Sequence, residues 1–424
     1  MRSWRLLPGW QKPQSQPSGW ELVQLNAVSR TIAGGRLGFT KESDYRPSGV
    51  PAFSAAGQDG FVSRAEFENV DAVVLSSVGA QCGKCFPAQG SWSTLANVQA
   101  ILTAGTVSAR YLYFRVNRDD YWPRSGSAQP FIKPSDIGRC WIALPPLAEQ
   151  RRIAEILDTL DEAIRKTEQL IAKLRQVKQG LLHDLLTRGI DENGELRDPE
   201  RNPEEFKASR LGPIPVNWDV ETLGNLVEEH QAGIYKDRGE YGSGGNIVGV
   251  ADLFRHESID GQVFRRVRLS DSERDEFALH PGDLIYAESS LVLDGIAKTL
   301  AVTEQGAGTA FAWHTRRLSL RRGRADAEFL ALALGLPRSR AFVVTRATQT
   351  AITGIPVSEY LSTPLALPPL NAQKQMVEIV RMHDARALRE MAFAEKLRLL
   401  KGGLMDDLLT GRVRAASPGT DTAA

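Results

Sequence analysis

Apolar residues recur every three or four positions along two long stretches of this chain, and the two stretches are copies of each other. In the first, Ile153, Ile156, Leu157, Leu160, Ile164, Leu170, Ile171, Leu174, Val177, Leu181 and Leu185 would line one face of a helix. In the second, Met376, Ile379, Val380, Ala387, Phe393, Leu397, Leu400, Leu404 and Leu408 do the same, interrupted by His383 and Glu390. The copies align without a gap, residues 367–413 lying 223 positions after 144–190; each opens on Leu-Pro-Pro-Leu and closes on Asp-Leu-Leu-Thr. Proline suits a first helical turn and disfavours helix in the residue before it, so Pro145-Pro146 and Pro368-Pro369 set a start, and the glycine after each closing threonine suits a stop. About 35 helical residues make a rod of roughly 50 Å.

A rod of that length must cover its apolar stripe, and the nearest matching stripe is the other copy. The expected seam is Ile153, Ile156, Leu160, Ile164, Leu170, Leu174 and Leu181 against Met376, Ile379, Leu397 and Leu404, in an antiparallel intramolecular coiled coil with Glu390 beside a basic neighbour. Two other arrangements stay open: each helix packed on its own domain, or both packed on other proteins.

Before each helix lies a large unlike segment, and the two segments share a layout. Trp20-Glu21 and Trp218-Asp219 each open a strand-like start, and the buried-strand patterns Asp71–Ser77 and Asp283–Ser290 both run into a glycine-containing turn, with Lys84 and Lys298 just beyond. Residues 191–215 are polar, contain four prolines and show no apolar period, so they read as a connector. The fold class expected is α+β: two mixed α/β heads joined by two long antiparallel helices. The boundaries are 1–143 for the first head, 144–190 for its helix, 191–215 for the connector, 216–366 for the second head, 367–413 for its helix and 414–424 for a disordered tail.

The chain's 424 residues suffice for two or three domains, and the net charge of +1 names no partner. Its start, MRSWRLLPGW, lacks a signal-peptide apolar core, and no apolar run could span a membrane, so a cytoplasmic protein without membrane contact is expected. Three cysteines suit a reducing compartment. Cys82-Gly-Lys-Cys85 has metal spacing but no second ligand pair, so two incidental thiols in a loop are favoured over zinc. Gly79–Lys84 is one residue short of a phosphate loop, with Cys85 where Ser or Thr should stand. No HExxH motif and no Asn/Asp-Pro-Pro-Tyr tetrapeptide occurs. No catalytic residue, metal or cofactor is assigned; catalysis would belong to another chain.

The order of a head, an LPPL-xx-Gln helix, the Gly189–Gly194 connector, Gly-Pro-Ile-Pro-x-x-Trp at 212–218, a second head and a second LPPL helix resembles the specificity subunit of Type I restriction-modification systems. The resemblance covers nearly the whole chain, although Leu370-Asn-Ala-Gln373 lacks the glutamate that usually precedes the glutamine. It implies a non-catalytic DNA-binding subunit whose heads are target-recognition domains, each reading one half of a split, asymmetric site in double-stranded DNA. The helices would space the half-sites and help dock two methyltransferase (modification) subunits, with restriction/translocase subunits completing the complex. A half-site separation of about 34–36 Å is within reach of such a rod. A coiled-coil adaptor bridging two protein ligands is the alternative; the bases read are not legible.

On the DNA reading, affinity comes from cations on phosphates and specificity from a few side chains on base edges. Candidate DNA contacts in the first head are Arg36, Lys41, Arg64, Lys84, Arg110, Arg115 and Lys133. In the second they are Lys236, Arg238, Arg255, Arg265, Arg266, Arg268, Lys298, Arg316, Arg317 and Arg346. Gln129 and Gln349, in turn-like segments at corresponding places, could pair with adenine or could tie their loops to the head's own backbone.

Overall fold

The computed structural model describes residues 8–349 and 353–415. They form two compact units, one of the described residues up to 170 together with those from 390 onward and the other of those between 171 and 389, so the division falls inside both long helices rather than at the ends of the heads.

In the first unit the strand Glu21–Gln24 pairs antiparallel with Trp141–Leu144, the strand that runs into Leu-Pro-Pro-Leu. Between them lies a four-stranded antiparallel sheet in the order Ser29–Ala33, Val98–Thr103, Ala72–Ser76, Cys85–Ala88. A smaller sheet holds Gly57–Val62, Val50–Ser54 and Ser93–Thr94, the last two paired parallel. The Ala72–Ser76 strand is buried throughout, which explains its unbroken apolar run. Val74 packs towards Phe53 and Trp92 of the small-sheet side, while Val73 and Leu75 face Tyr111, Leu112 and Phe114. Those three belong to the helix Ala109–Val116, whose N-terminus is capped by Ser108.

The second unit repeats the plan. Asp219–Thr222 pairs with Pro364–Leu367. The central sheet runs Val227–Ala232, Thr315–Leu320, Leu284–Ala287, Thr299–Val302, with Ser258–Ile259 added at the edge. Arg265–Val267, Tyr241–Val248 and Ala310–Phe311 make the small sheet, again with one parallel pair. The helix Ala327–Leu334, capped by Asp326, packs on the central sheet.

The long helices run Leu147–Thr187 and Leu370–Thr410, 41 residues each, about 60 Å of helix. They start three residues later than the repeated segments, because Leu144 and Leu367 are strand residues paired with Glu21 and Asp219. Both helices contribute to each core. In the first unit, Ile153, Ala154 and Leu157 share a cluster with Leu408 and Leu409; in the second, Met376, Val377 and Val380 share one with Leu185 and Leu186. These are the same positions of the two copies. The start of one helix meets the end of the other within each unit, so the pairing is antiparallel.

Charged groups brace the pair. Arg398 bonds Glu168 at 2.6 Å and Lys401 meets Asp161 in the first unit, and Lys178 meets Asp384 at 2.8 Å in the second. Several seam expectations need correction. Glu390 has no ion pair among the described residues, and His383 is half-buried with neither ring nitrogen hydrogen-bonded. Val177, Phe393 and Leu400 are exposed, whereas Thr167 and Ala394 are buried. A stripe of 3.6 period drifts around the helix, so residues at its margins turn outward. The named seam residues Ile153, Leu174 and Met376 are buried; Ile156, Leu160, Ile164, Leu170, Leu181, Ile379, Leu397 and Leu404 are half-buried.

Each helix stops on a left-handed glycine against the tryptophan that opens a head. A Cβ on Gly189 (φ 70°) would lie 2.6 Å from the Trp218 ring, and one on Gly411 (φ 71°) 3.2 Å from the Trp20 ring. The connector is folded rather than featureless. The Asp191 carboxylate accepts from the Asn193 and Glu195 backbones, Phe206–Lys207 pairs with Ile214–Pro215, and Ile190 and Ile214 enter the second unit's core. Of the expected tail, Arg414 and Ala415 are held, Ala415 in the first core; residues 416–424 lie outside the described residues.

Candidate nucleic-acid interface

In each head the turns at one end of the central sheet superimpose in their bonding pattern while differing in side chains. The backbone N–H of Ser76 donates to Lys84 O in the first head, and that of Ala287 to Lys298 O in the second. Gly83 N donates to Ser76 O, and Ala297 N to Ala287 O; both residues have positive φ. Ser77 N meets Asn97 O, and Glu288 N meets His314 O, with φ of 69° at both acceptors. Gly34 and Gly233 pass so close to the carbonyls of Leu95 and Ala312 that neither could carry a Cβ without displacement. Lys84 and Lys298 are therefore the same position of one turn, both exposed. Desolvation, with Arg340 and Lys178 nearby, pushes the Lys298 ammonium below its ordinary range against the pull of Glu257.

The same correspondence explains the cysteines. Cys82 and Cys85 occupy the places of Ile296 and Thr299, and all four are buried core positions. Burial pushes the Cys85 thiol up to about 12, so it is protonated and unreactive. Among the described residues no group of three or more His, Cys, Asp or Glu is placed to hold a metal ion.

The candidate cations divide sharply. Arg115 and Arg317 are buried, which corrects their expectation as phosphate contacts: Arg115 lies in the core-facing helix under the sheet, and Arg317 donates to Ala278 O from within a central strand. Alternation along Thr315–Leu320 buries Arg317, so Arg316 and Arg317 do not make one surface patch. Arg316 pairs with Glu288 at 2.7 Å, and Arg110 with Asp158 while lying over Tyr113 and Phe114. Lys41 is bound by Asp59, Arg36 by the buried Glu66 carboxylate at 2.7 Å, and Arg346 lies over Phe342 near Glu359. Lys236 sits between Glu273 at 2.8 Å and Glu240 at 3.1 Å, and the hydrogen bond it donates to Glu273, ahead of that to Glu240, holds its ammonium above the ordinary range.

The remaining cations are exposed: Arg64 over Phe39, Lys84 and Lys133 in the first head; Arg238, Arg255, Arg265, Arg266, Arg268 and Lys298 in the second. Arg268 donates to Gly239 O at 2.7 Å, which draws the 265–268 run onto the turn that carries Arg238. Gln129 is exposed, and no hydrogen bond to a described residue holds its side chain. It does not correspond to Gln349. Ile132 N donates to Ser77 O and Ile355 N to Glu288 O, so Gln129 aligns with residue 352. Gln349 lies on the strand Thr348–Gln349, its side chain outside the described residues, as are residues 350–352.

Two features were only partly legible in the sequence: the glutamines of the repeated motif, whose bonding role it does not show, and an exposed aromatic pair. Gln150 and Gln373, both buried, bind the turn before each helix: their Nε2 groups donate to Pro145 O and Pro368 O at 2.8 Å. Their Oε1 atoms accept from the Ser108 and Asp326 backbones, the capping residues of each head's helix. Glu149 is likewise inward, accepting from Trp20 Nε1 and, in a bidentate pair, from Arg414. The second is an exposed aromatic group, Tyr235 and Trp313, at the second head's turns. Gly233, two residues before Tyr235, marks the turn, whereas alternation from buried Phe311 would by itself place Trp313 inward.

Comparisons with known proteins agree with this architecture. Residues 17–176 match the Type I restriction modification DNA specificity domain. The chain is 22% identical over 414 residues to the Type I restriction enzyme MjaVIII specificity subunit of Methanocaldococcus jannaschii, covering 94% of each. It is 26% identical over 262 residues to the StySPI specificity subunit of Salmonella potsdam, covering 60% of this chain and 53% of that one. Among solved structures, the S subunit of a Type I system from M. genitalium shares the fold, with TM-score 0.56 at 14% identity over 95% of this chain and 98% of that one.

Proposed function

We propose, for this member of the Type I restriction-modification specificity-subunit family, a non-catalytic role in which each head reads one half of a bipartite, asymmetric DNA site. The observation that carries the reading is the pair of sheet ends with matching backbones and different side chains. Such an arrangement presents two surfaces of one shape to one kind of ligand while allowing each to prefer its own sequence. Lys84 and Lys298, Arg64 and Lys133, and Arg238 with Arg266 and Arg268 would meet phosphates; Gln129 and Gln349 are candidates for base edges. The long helices would hold the half-sites apart, and two methyltransferase subunits would dock on the assembly and methylate adenine, with restriction/translocase subunits supplying cleavage. Among the described residues no helix is long and apolar enough to cross a membrane; a cytoplasmic site of action accords with a DNA ligand.

Methylation mapping in a host expressing the chain with its methyltransferase partner tests the reading. One split motif with unlike halves is expected, whereas a continuous or palindromic motif overturns it. Binding should also weaken steeply with salt, as counterion release requires, which an apolar adaptor interface would not show.

A further inference from the structure

The second head carries at its sheet end a feature that the first head lacks at the same positions. Tyr235 is 63% exposed and Trp313 52%, and their rings meet edge to face at 4.9 Å. His314 stacks against Trp313, interplanar angle 20°, with its Nδ1 2.6 Å from Ser289 Oγ. The support is rigid: Trp313 N donates to Ile234 O at 2.8 Å, and the close approach at Gly233 locks the two turns together. By the bonding pattern above, Trp313 corresponds to Ala96 and Tyr235 to Arg36. Large aromatic surface held in water by a fixed backbone is costly unless a ligand covers it.

We propose that Tyr235 and Trp313 form a stacking ledge that engages an unstacked base in the half-site read by the second head. This rests on the DNA-recognition reading above. Three observations favour a nucleic-acid ligand over a protein. Exposed guanidiniums border the ledge, with Arg238 on the Tyr235 turn and Arg268 bonded to that turn's Gly239. Two aromatic side chains offer at most about 150–250 Å² each, far below the ~800 Å² per partner of a stable protein interface, even with exposed Leu291 and Val292 on the neighbouring loop. The ledge also stands where the first head has a guanidinium and a methyl group, so it differentiates two surfaces that otherwise share a backbone. Chemistry on a base requires its removal from the stack, and an apolar side chain that replaces a stacking partner lowers the cost of opening.

The test uses the full chain in complex with its methyltransferase partner, and duplexes carrying the mapped site. Trp313→Ala should weaken binding about tenfold or more, Tyr235→Ala less, and Trp313→Phe should restore most of the loss, because stacking tolerates a change of ring. In an abasic scan, one position in the second half-site should abolish the difference between wild type and Trp313→Ala, and none in the first should. Wild-type affinity in the Ala variant overturns the ledge while leaving the DNA reading intact. So does a loss spread evenly over both half-sites, or a loss of methyltransferase binding. If the wild-type complex shows no salt-dependent DNA binding, both the reading and the ledge fail.

Discussion

The base of each head and its sheet end have diverged in opposite ways since the duplication. At the base, most side chains correspond: Gln150 with Gln373, Ile153 with Met376, Leu408 with Leu185, and a helix-stopping glycine against an opening tryptophan in both. At the sheet end only the backbone corresponds, and Arg36, Ala96 and Asn97 stand where the other head has Tyr235, Trp313 and His314. Buried contacts fix residue identity through packing and hydrogen-bond satisfaction, whereas an exposed turn fixes only φ and ψ. Divergence concentrated at one end of a shared scaffold is what the proposed function asks of two surfaces that bind one ligand class with different preferences.

The strongest way to break the comparison is to make a base element serve the wrong head. A fragment of residues 1–206 loses Leu408, Leu409, Gly411 and Arg414 from the first core but retains Leu185, Leu186 and Gly189, their counterparts. An antiparallel homodimer would restore the burial, so light scattering should show a dimer, which with the methyltransferase would mark an inverted repeat of the first half-site. One contact does not transfer. Three residues after Gly411 stands Arg414, paired with Glu149, but three after Gly189 stands Glu192. Glu192→Arg in the fragment should therefore tighten the dimer about tenfold, a gain of ~1.4 kcal/mol. A monomer would show that the base contacts are not interchangeable.

Next in size are the buried glutamines. Gln150→Ala removes bonds to Ser108 N, Thr106 O and Pro145 O, leaving buried backbone groups unpaired; a cost of about 2–4 kcal/mol is expected. Gln373→Ala removes two such bonds and should cost less. Hydrogen exchange localises the loss: each variant should deprotect the helix of its own head and leave the other unchanged.

The base was largely legible in the sequence because periodicity and proline report buried helices directly, and the repeat doubled the signal. Val177 and Phe393 were misplaced because periodicity cannot say where the stripe's margin leaves its partner. The sheet end was legible only in its backbone, through the two Asp-led strand patterns and the lysines after them. Arg115, Arg317 and Lys236 resembled phosphate ligands because a charge in a sequence does not show its burial or its carboxylate neighbours. The exposure of Trp313 has no sequence signature, because an aromatic residue beside a strand usually belongs to a core.

Smaller effects test the helix stops. Gly189→Ala and Gly411→Ala each force a side chain into left-handed backbone against a tryptophan, costing about 1–2 kcal/mol in strain before the ring moves. Tryptophan fluorescence should report the displacement in each case. An unchanged spectrum in both variants would mean that the glycine and ring are not in contact.

The smallest effect on stability should come from building the second head's ledge on the first. Ala96 is exposed at the position of Trp313, next to Asn97 in the conformation of His314, so Ala96→Trp should change unfolding by less than about 0.5 kcal/mol. Its consequence for DNA should be larger than its consequence for folding. The new ring would lie beside Arg36, which is engaged by Glu66, and would offer stacking surface where the first half-site meets only a methyl group. Methylation mapping with this variant should leave the second half-site unchanged and alter the preference or occupancy at the first. A change at the second half-site instead would contradict the assignment of one head to one half. A large loss of stability would show that the sheet end, like the base, is constrained by packing.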